Sequence, residues 1–155
     1  MEAARDVEKA LFLGYKKRHQ REMDEMKMHK LMYFAQREFL VRYGDPLFLE
    51  DFEGWKYGPV LLSVRRLFRT VKKFEGCAEI KDSKVKEVIK FVLDEYGKMS
   101  SWSLSMLSHE EFSWKKARRG LKASENGSVK IAVKDIRVDT VRVRCERKHG
   151  VDLVY

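Results

Sequence analysis

Apolar residues recur every three to four positions in six stretches of the chain and alternate only toward its end. Val7, Ala10, Leu11 and Gly14 predict a short amphipathic helix over Asp6 to Tyr15. A polar run, Lys16 to Asp24, leads into the strongest signal, Met26 to Tyr43, where Leu31, Phe34, Ala35, Glu38, Phe39 and Arg42 share one stripe. Gly44 suits a left-handed cap there, and Pro46 cannot continue a helix. Asp45 to Tyr57 is a connector heavy in aromatic residues, extended or holding a brief strand. Gly58-Pro59 predicts the next helix start, since proline is tolerated at the first helical position. Val60, Val64, Leu67, Phe68 and Val71 line one side of that helix, and Arg65, Arg66, Arg69 and Lys72 line the other.

Beyond a loop from Phe74 to Lys81, Asp82 or Ser83 caps a helix carrying Val85, Val88, Ile89, Val92, Leu93 and Tyr96 and ending at Gly97. Ser100 or Ser101 starts a short helix with Trp102, Leu104, Met106 and Leu107. Ser108 and Glu111 have capping-box spacing, which predicts another helix from about His109 to Gly120. Leu121 to Ser128 reads as a loop. The tail fits two periods: Val129, Ile131 and Val133 alternate, as do Val141, Val143 and Cys145, yet Val133, Ile136 and Arg137 suit a helix. The expectation is a short strand, a helical turn over Lys134 to Asp139 and a basic, strand-like end. The fold class is therefore mainly α, a compact helical domain with a small extended or β element. Its parts are a helical extension over 1–22, a body over 23–140 and a basic tail over 141–155.

Composition narrows the picture. The 155 residues are 44% hydrophobic, enough for a core, and the 9 glycines and 2 prolines are too few for a turn-dense β-sandwich. No apolar run nears the roughly 18 residues of a membrane span, so no membrane partner is expected. No secretory signal pattern opens the chain, and Cys77 and Cys145 read as reduced thiols of a cytoplasmic protein. The net charge is +9 and uneven: Phe112 to Tyr155 holds twelve basic residues against five acidic ones. Such a surplus, with the Arg65, Arg66, Arg69, Lys72 stripe, suits a solvated face, an acidic protein partner or a nucleic acid. No helix-turn-helix with polar recognition residues accompanies it.

Catalytic and metal chemistry find little support. His19, His29, His109 and His149 lack ligand spacing, and no phosphate-loop, dinucleotide or nucleophile-elbow motif is present. No catalytic residue, metal or cofactor is expected, and the chain does not read as an enzyme.

Three ordered segments carry a resemblance. They are Lys30-Leu31-Met32-Tyr33-Phe34-Ala35-Gln36; Trp55-Lys56-Tyr57-Gly58-Pro59-Val60, preceded by Gly44-Asp45-Pro46-Leu47-Phe48; and Ser108-His109-Glu110-Glu111 followed by Trp114. Their order and spacing resemble the Panacea antitoxin domain, the family of SocA-like and GepA-like phage-associated proteins, over roughly Met23 to Asp139. The resemblance implies a mostly helical protein that neutralises a toxin encoded beside it by direct binding. One branch of the family delivers its toxin to an ATP-dependent protease. The alternative is a basic nucleic-acid binder or operon autoregulator. Lys30, Tyr33, Gly58, Pro59, His109 and Trp114 are read as structural motif residues. Arg65, Arg66, Arg69 and Lys72, with Trp55 and Tyr57, are the candidate partner contacts. For Trp55 and Tyr57 two readings stand: a core staple, or an exposed aromatic anchor.

Overall fold

The computed structural model describes residues 1–149. Among them are seven helices, α1 (Ala4–His19), α2 (Glu25–Tyr43), α3 (Leu62–Phe68), α4 (Ser83–Tyr96), α5 (Ser101–Ser108), α6 (Phe112–Ala117) and α7 (Val133–Lys148). Three short strands, β1 (Phe52–Trp55), β2 (Gly58–Leu61) and β3 (Lys130–Ile131), form an antiparallel sheet in the order β2-β1-β3. The fold is mainly α with a small β element.

Helix α2 is the axis of the molecule. Asp24 caps it by accepting the N–H of Lys27, and Gly44 ends it at φ 76°. Leu31, Phe34, Ala35 and Glu38 of its predicted stripe are buried, whereas Phe39 is half-buried and Arg42 is exposed at the end of the helix; every residue from Lys27 to Glu38 is buried, because α1, α4, α5, α7 and the sheet surround it. A helix enclosed on all sides must satisfy its polar side chains internally. Gln36 does so by accepting the N–H of Leu47 and donating to the carbonyl of Phe48, which clamps the connector onto the helix. Arg37 donates to the Glu111 carboxylate and the Tyr96 hydroxyl. Glu38 receives Arg42 and both guanidinium nitrogens of Arg147. Around these, Leu31, Phe34, Leu40, Phe48, Val88, Val92 and Leu104 form the dry core, with the Phe34 and Tyr96 rings stacked at 4.5 Å.

Four expectations are corrected. Gly58-Pro59 opens a strand, and α3 begins only at Leu62. Pro59 is tolerated there because β2 is an edge strand. The helix then stops at Phe68, where the Thr70 hydroxyl takes the Arg66 carbonyl, so Val71 loses its register and stands in solvent. The Ser108–Glu111 capping box does not form. Ser108 stays in α5 and donates to the Ser105 carbonyl, while the N-terminus of α6 is capped from afar by Asp139, which accepts the N–H groups of Phe112 and Ser113. The tail to Lys148 is one continuous helix and not a turn followed by a strand-like end; residues 150–155 lie outside the described residues. Its buried positions, Asp135, Ile136, Asp139, Thr140 and Val143, keep helical spacing, but three of them are polar, and Val138 and Val141 face outward.

Candidate protein-binding surface

The three motif segments, far apart in sequence, meet around one turn. β1 and β2 pair through Trp55↔Gly58, so Lys56 and Tyr57 form a two-residue hairpin turn. Antiparallel pairing across such a turn leaves the Pro59 carbonyl and the Leu61 N–H on the outer edge of β2. Helix α2 closes both. The Lys30 ammonium donates to the Pro59 oxygen at 3.2 Å, and His29 Nδ1 accepts the Leu61 N–H at 3.1 Å. The other His29 nitrogen, Nε2, therefore carries the proton and donates to Glu25 at 3.0 Å. Burial, with the Lys30 and Arg65 charges, pushes the His29 pKa down to about 3, so the ring is neutral. Burial likewise pushes the Lys30 ammonium down to about 8, and it stays charged at neutral pH. No carboxylate pairs with it among the described residues.

The opposite side of the hairpin is held by α5 and α6. Ser105 Oγ donates to the Tyr57 carbonyl at 2.5 Å, and the Trp114 indole donates to the Trp55 carbonyl at 2.8 Å. Arg118 donates to the Gly54 carbonyl at 3.1 Å and to three carbonyls of the 122–126 loop. The His109 ring lies flat on Trp114, 4.2 Å between centroids, with its pKa lowered by burial and by the Lys30 and Arg118 charges. Gly58 sits at φ 117° in the centre of this brace. A Cβ there would lie 2.5 Å from Ser108 Oγ and 2.7 Å from Lys30 Cε, so only glycine fits.

The brace holds main-chain atoms and leaves the turn's side chains outward. The Trp55 ring is half-buried, its indole N–H bound to Glu53 and its face covered by Arg65 at 5.0 Å. Tyr57 is 45% exposed, and its ring meets that of Trp102, 58% exposed, at 6.1 Å. Met106, one helical turn on, is 48% exposed. Beside them, Met26, His29, Trp55, Tyr57, Val60 and Arg65 line a cleft of about 250 Å³. Trp102 and Met106 were absent from the candidate contacts, because the periodicity of α5 reads as core. The clue lay in its serines: Ser105 and Ser108 are small enough to face the hairpin backbone, which turns Trp102 and Met106 away from it.

The predicted basic contacts divide. Arg65 turns inward to Trp55 and to Glu25 at 3.3 Å, whereas Arg66, Arg69 and Lys72 are exposed. The surplus beyond Phe112 is largely engaged within the fold. Every arginine between residues 112 and 149 except Arg119 donates to a carbonyl or carboxylate. Arg137 and Arg144 close the C-terminus of α2 at Gly44, Leu40 and Val41, and Arg142 reaches buried Glu111. Glu111 in turn takes Arg37 and the Tyr33 hydroxyl, tying α2, α6 and α7 together.

Among the described residues, no group of three or more His, Cys, Asp or Glu could hold a metal ion, and no helix is long and apolar enough to cross a membrane.

Residues 28–115 match the family described as antitoxin SocA-like, Panacea domain. The chain is also similar to antitoxin SocA of Caulobacter vibrioides (strain NA1000 / CB15N), with 36% identity over 103 residues, 56% of this chain and 55% of that protein. The chain thus spans about half the length of this curated relative. No solved structure matches it.

Proposed function

The chain belongs to the SocA-like Panacea antitoxin family, and on that premise we propose that it is an antitoxin that neutralises a protein toxin, encoded by a neighbouring gene, through direct binding. The observation that carries this reading is where the motif residues go. Lys30, Gly58 and Trp114, together with Ser105 outside the motif, brace one hairpin turn. A braced turn with outward side chains suits recognition, because little conformational freedom is lost on binding. Binding alone neutralises by mass action and asks for no catalytic group. In a second form of the same role, the complex is passed to an ATP-dependent protease. The family membership also fits a protein that works in the cytoplasm.

The test is co-expression with the adjacent gene. The adjacent product should arrest growth alone and lose its toxicity with this chain present. Harmlessness alone, or toxicity that persists, refutes the proposal. A toxin half-life that shortens with this chain, and only in cells holding the protease, selects the adaptor form.

One observation favours a nucleic-acid reading: Arg66, Arg69 and Lys72 form an exposed basic face. Against it stands the internal use of the C-terminal arginines. Retardation of the upstream DNA at low salt, lost on Arg66→Glu with Arg69→Glu, supports DNA binding; its absence at low salt removes it.

A further inference from the structure

Resting on the antitoxin reading, we infer that the outward face of α7 is a docking surface, and that its occupant is an amphipathic helix of the partner whose apolar stripe is flanked by carboxylates.

Helix α7 lies beyond residues 28–115, so the family match does not account for it. Opposite its packed side, Lys134, Val138, Val141, Cys145 and Lys148 follow one another at alternating steps of four and three residues. That is the period by which two helices share a seam. Val138 is 48% exposed, Val141 is 62% exposed, and Cys145 is also exposed. β-Branched side chains weaken an exposed helix rather than build it. These two valines also add nothing to the core, which α7 closes with Ile136 and Val143. A partner helix laid from Lys134 to Lys148 would follow the seam for about 21 Å.

Charge selects the occupant. Helix α7 carries six cations against three carboxylates. All three carboxylates are in ion pairs: Asp135 with Lys116 at 2.8 Å, Glu146 with Arg142 at 3.0 Å and Asp139 with Arg142 at 3.8 Å. Among the described residues, the exposed Lys134 and Lys148 make no ion pair. The exposed Arg137 and Arg144 donate only to carbonyls at the C-terminus of α2, those of Gly44, Leu40 and Val41. That helix end supplies a partial negative charge only. Asp45, which follows Gly44, offsets one of these four cations at most. The face is therefore positive around an apolar seam, and the complementary helix places carboxylates beside apolar side chains. A second copy of this chain is disfavoured. Antiparallel pairing on a two-fold axis sets Lys134 against Lys148, and parallel pairing sets each cation against its own mate.

Cys145 reports on the face directly. The purified product of the adjacent gene is added in excess, with binding followed by calorimetry, and iodoacetamide alkylation of Cys145 is timed by peptide mass spectrometry. Saturation should slow that alkylation about tenfold or more, since the thiol must be reached to react. Binding that leaves Cys145 at its free rate overturns the docking face while the antitoxin reading stands. A second arm compares Lys134→Glu with Lys148→Glu, on α7, against Arg69→Glu with Lys72→Glu, elsewhere on the surface. All four side chains are exposed, and unchanged melting temperatures are the folding control. The α7 pair should weaken binding about tenfold and flatten its salt dependence, and the other pair should stay within about threefold. Equal losses assign the effect to net charge and overturn the acidic occupant, as does unchanged or tighter binding by the α7 pair. Val141→Asp, which sets an acid against the acidic helix, should also weaken binding about tenfold; binding within twofold overturns the seam. Alkylation of Cys145 that slows as this chain alone is concentrated gives the face to a second copy. Slow alkylation in the dilute free chain shows the face already covered, and either result overturns the inference. No binding by the wild type removes the antitoxin reading and the docking face with it.

Discussion

His29 gives the sharpest quantitative prediction, because its protonation state is fixed by geometry on both ring nitrogens. Nδ1 accepts the Leu61 N–H and Nε2–H donates to Glu25, so a second proton would set N–H against N–H at the outer edge of β2. The buried ring has its pKa pushed down to about 3, against about 6.5 in an unfolded chain. Between those values the unfolded state binds a proton that the folded state refuses, so stability falls as pH falls. The loss is complete only near the lower value, but at pH 5 it is already about 2 kcal/mol relative to pH 7.5, from 1.36 kcal/mol per pH unit across the window. At pH 5 this figure depends on the unfolded pKa alone, since the folded ring is still neutral. Other groups titrate in the same range, so the comparison is with His29→Gln, which retains an acceptor and a donor and cannot titrate. Urea unfolding followed by tryptophan fluorescence at pH 7.5 and 5.0 gives both free energies. The wild type should lose about 2 kcal/mol more than the variant between the two conditions. Equal losses, within about 0.5 kcal/mol, refute the capping role, as would a nitrogen spectrum showing the Nδ1–H tautomer.

Gly58→Ala should cost at least about 2 kcal/mol, from the forbidden φ and the contact with Ser108 and Lys30, and thermal melting reads it. Trp114→Phe keeps a ring against His109 but removes the donor to the Trp55 carbonyl, so stability should fall by about 1–3 kcal/mol in urea titration. Glu111→Ala strands Arg37 in the interior and should cost about 3–5 kcal/mol, whereas Arg142→Ala at the exposed end of the same network should cost much less. Arg69→Glu should leave the melting temperature nearly unchanged, within about 0.5 kcal/mol, since the side chain is exposed, whereas Arg66→Glu should lower it more, because the Arg66 charge favours the buried Glu8 carboxylate.

The helical plan could be read from the chain wherever one apolar stripe meets one flat neighbour. Helix α4 shows this: Asp82 caps it, and Val85, Val88, Ile89, Val92, Leu93 and Tyr96 are its buried residues, as their spacing predicts. Where packing is two-sided or polar, periodicity fails. The buried stripe of α7 contains Asp139, which caps α6, and Thr140, whose hydroxyl donates to the Arg137 carbonyl one turn back, and its exposed face contains Val138 and Val141, so counting apolar positions points the wrong way. Gly58-Pro59 fits a helix start equally well as an edge strand, and only the side chains of His29 and Lys30, thirty residues earlier, decide between them. The outward face of α5 was hidden for a related reason. Trp102 and Met106 look like core by type, and the pairing of Ser105 with a carbonyl on another element has no local signature.

Helix α2 explains how the hairpin turn is held in place. Its buried polar residues gain little net stability, since each charge taken out of water must be offset by its partner. What they set is position: Gln36 fixes the connector, Arg37 and Glu38 fix α7 and the α6 junction, and His29 and Lys30 fix the hairpin edge. At the turn itself, the atoms held are the carbonyls of Gly54, Trp55, Tyr57 and Pro59 and the N–H of Leu61. None of these contacts depends on the side chains of Lys56 or Tyr57. Substitutions at those two positions, and at Trp102 and Met106 beside them, therefore change what the surface offers a partner while the backbone that presents them stays fixed. The brace is independent of the turn's outward side chains, so bracing variants such as Trp114→Phe should lower stability, and substitutions of the Lys56 and Tyr57 side chains should leave it nearly unchanged.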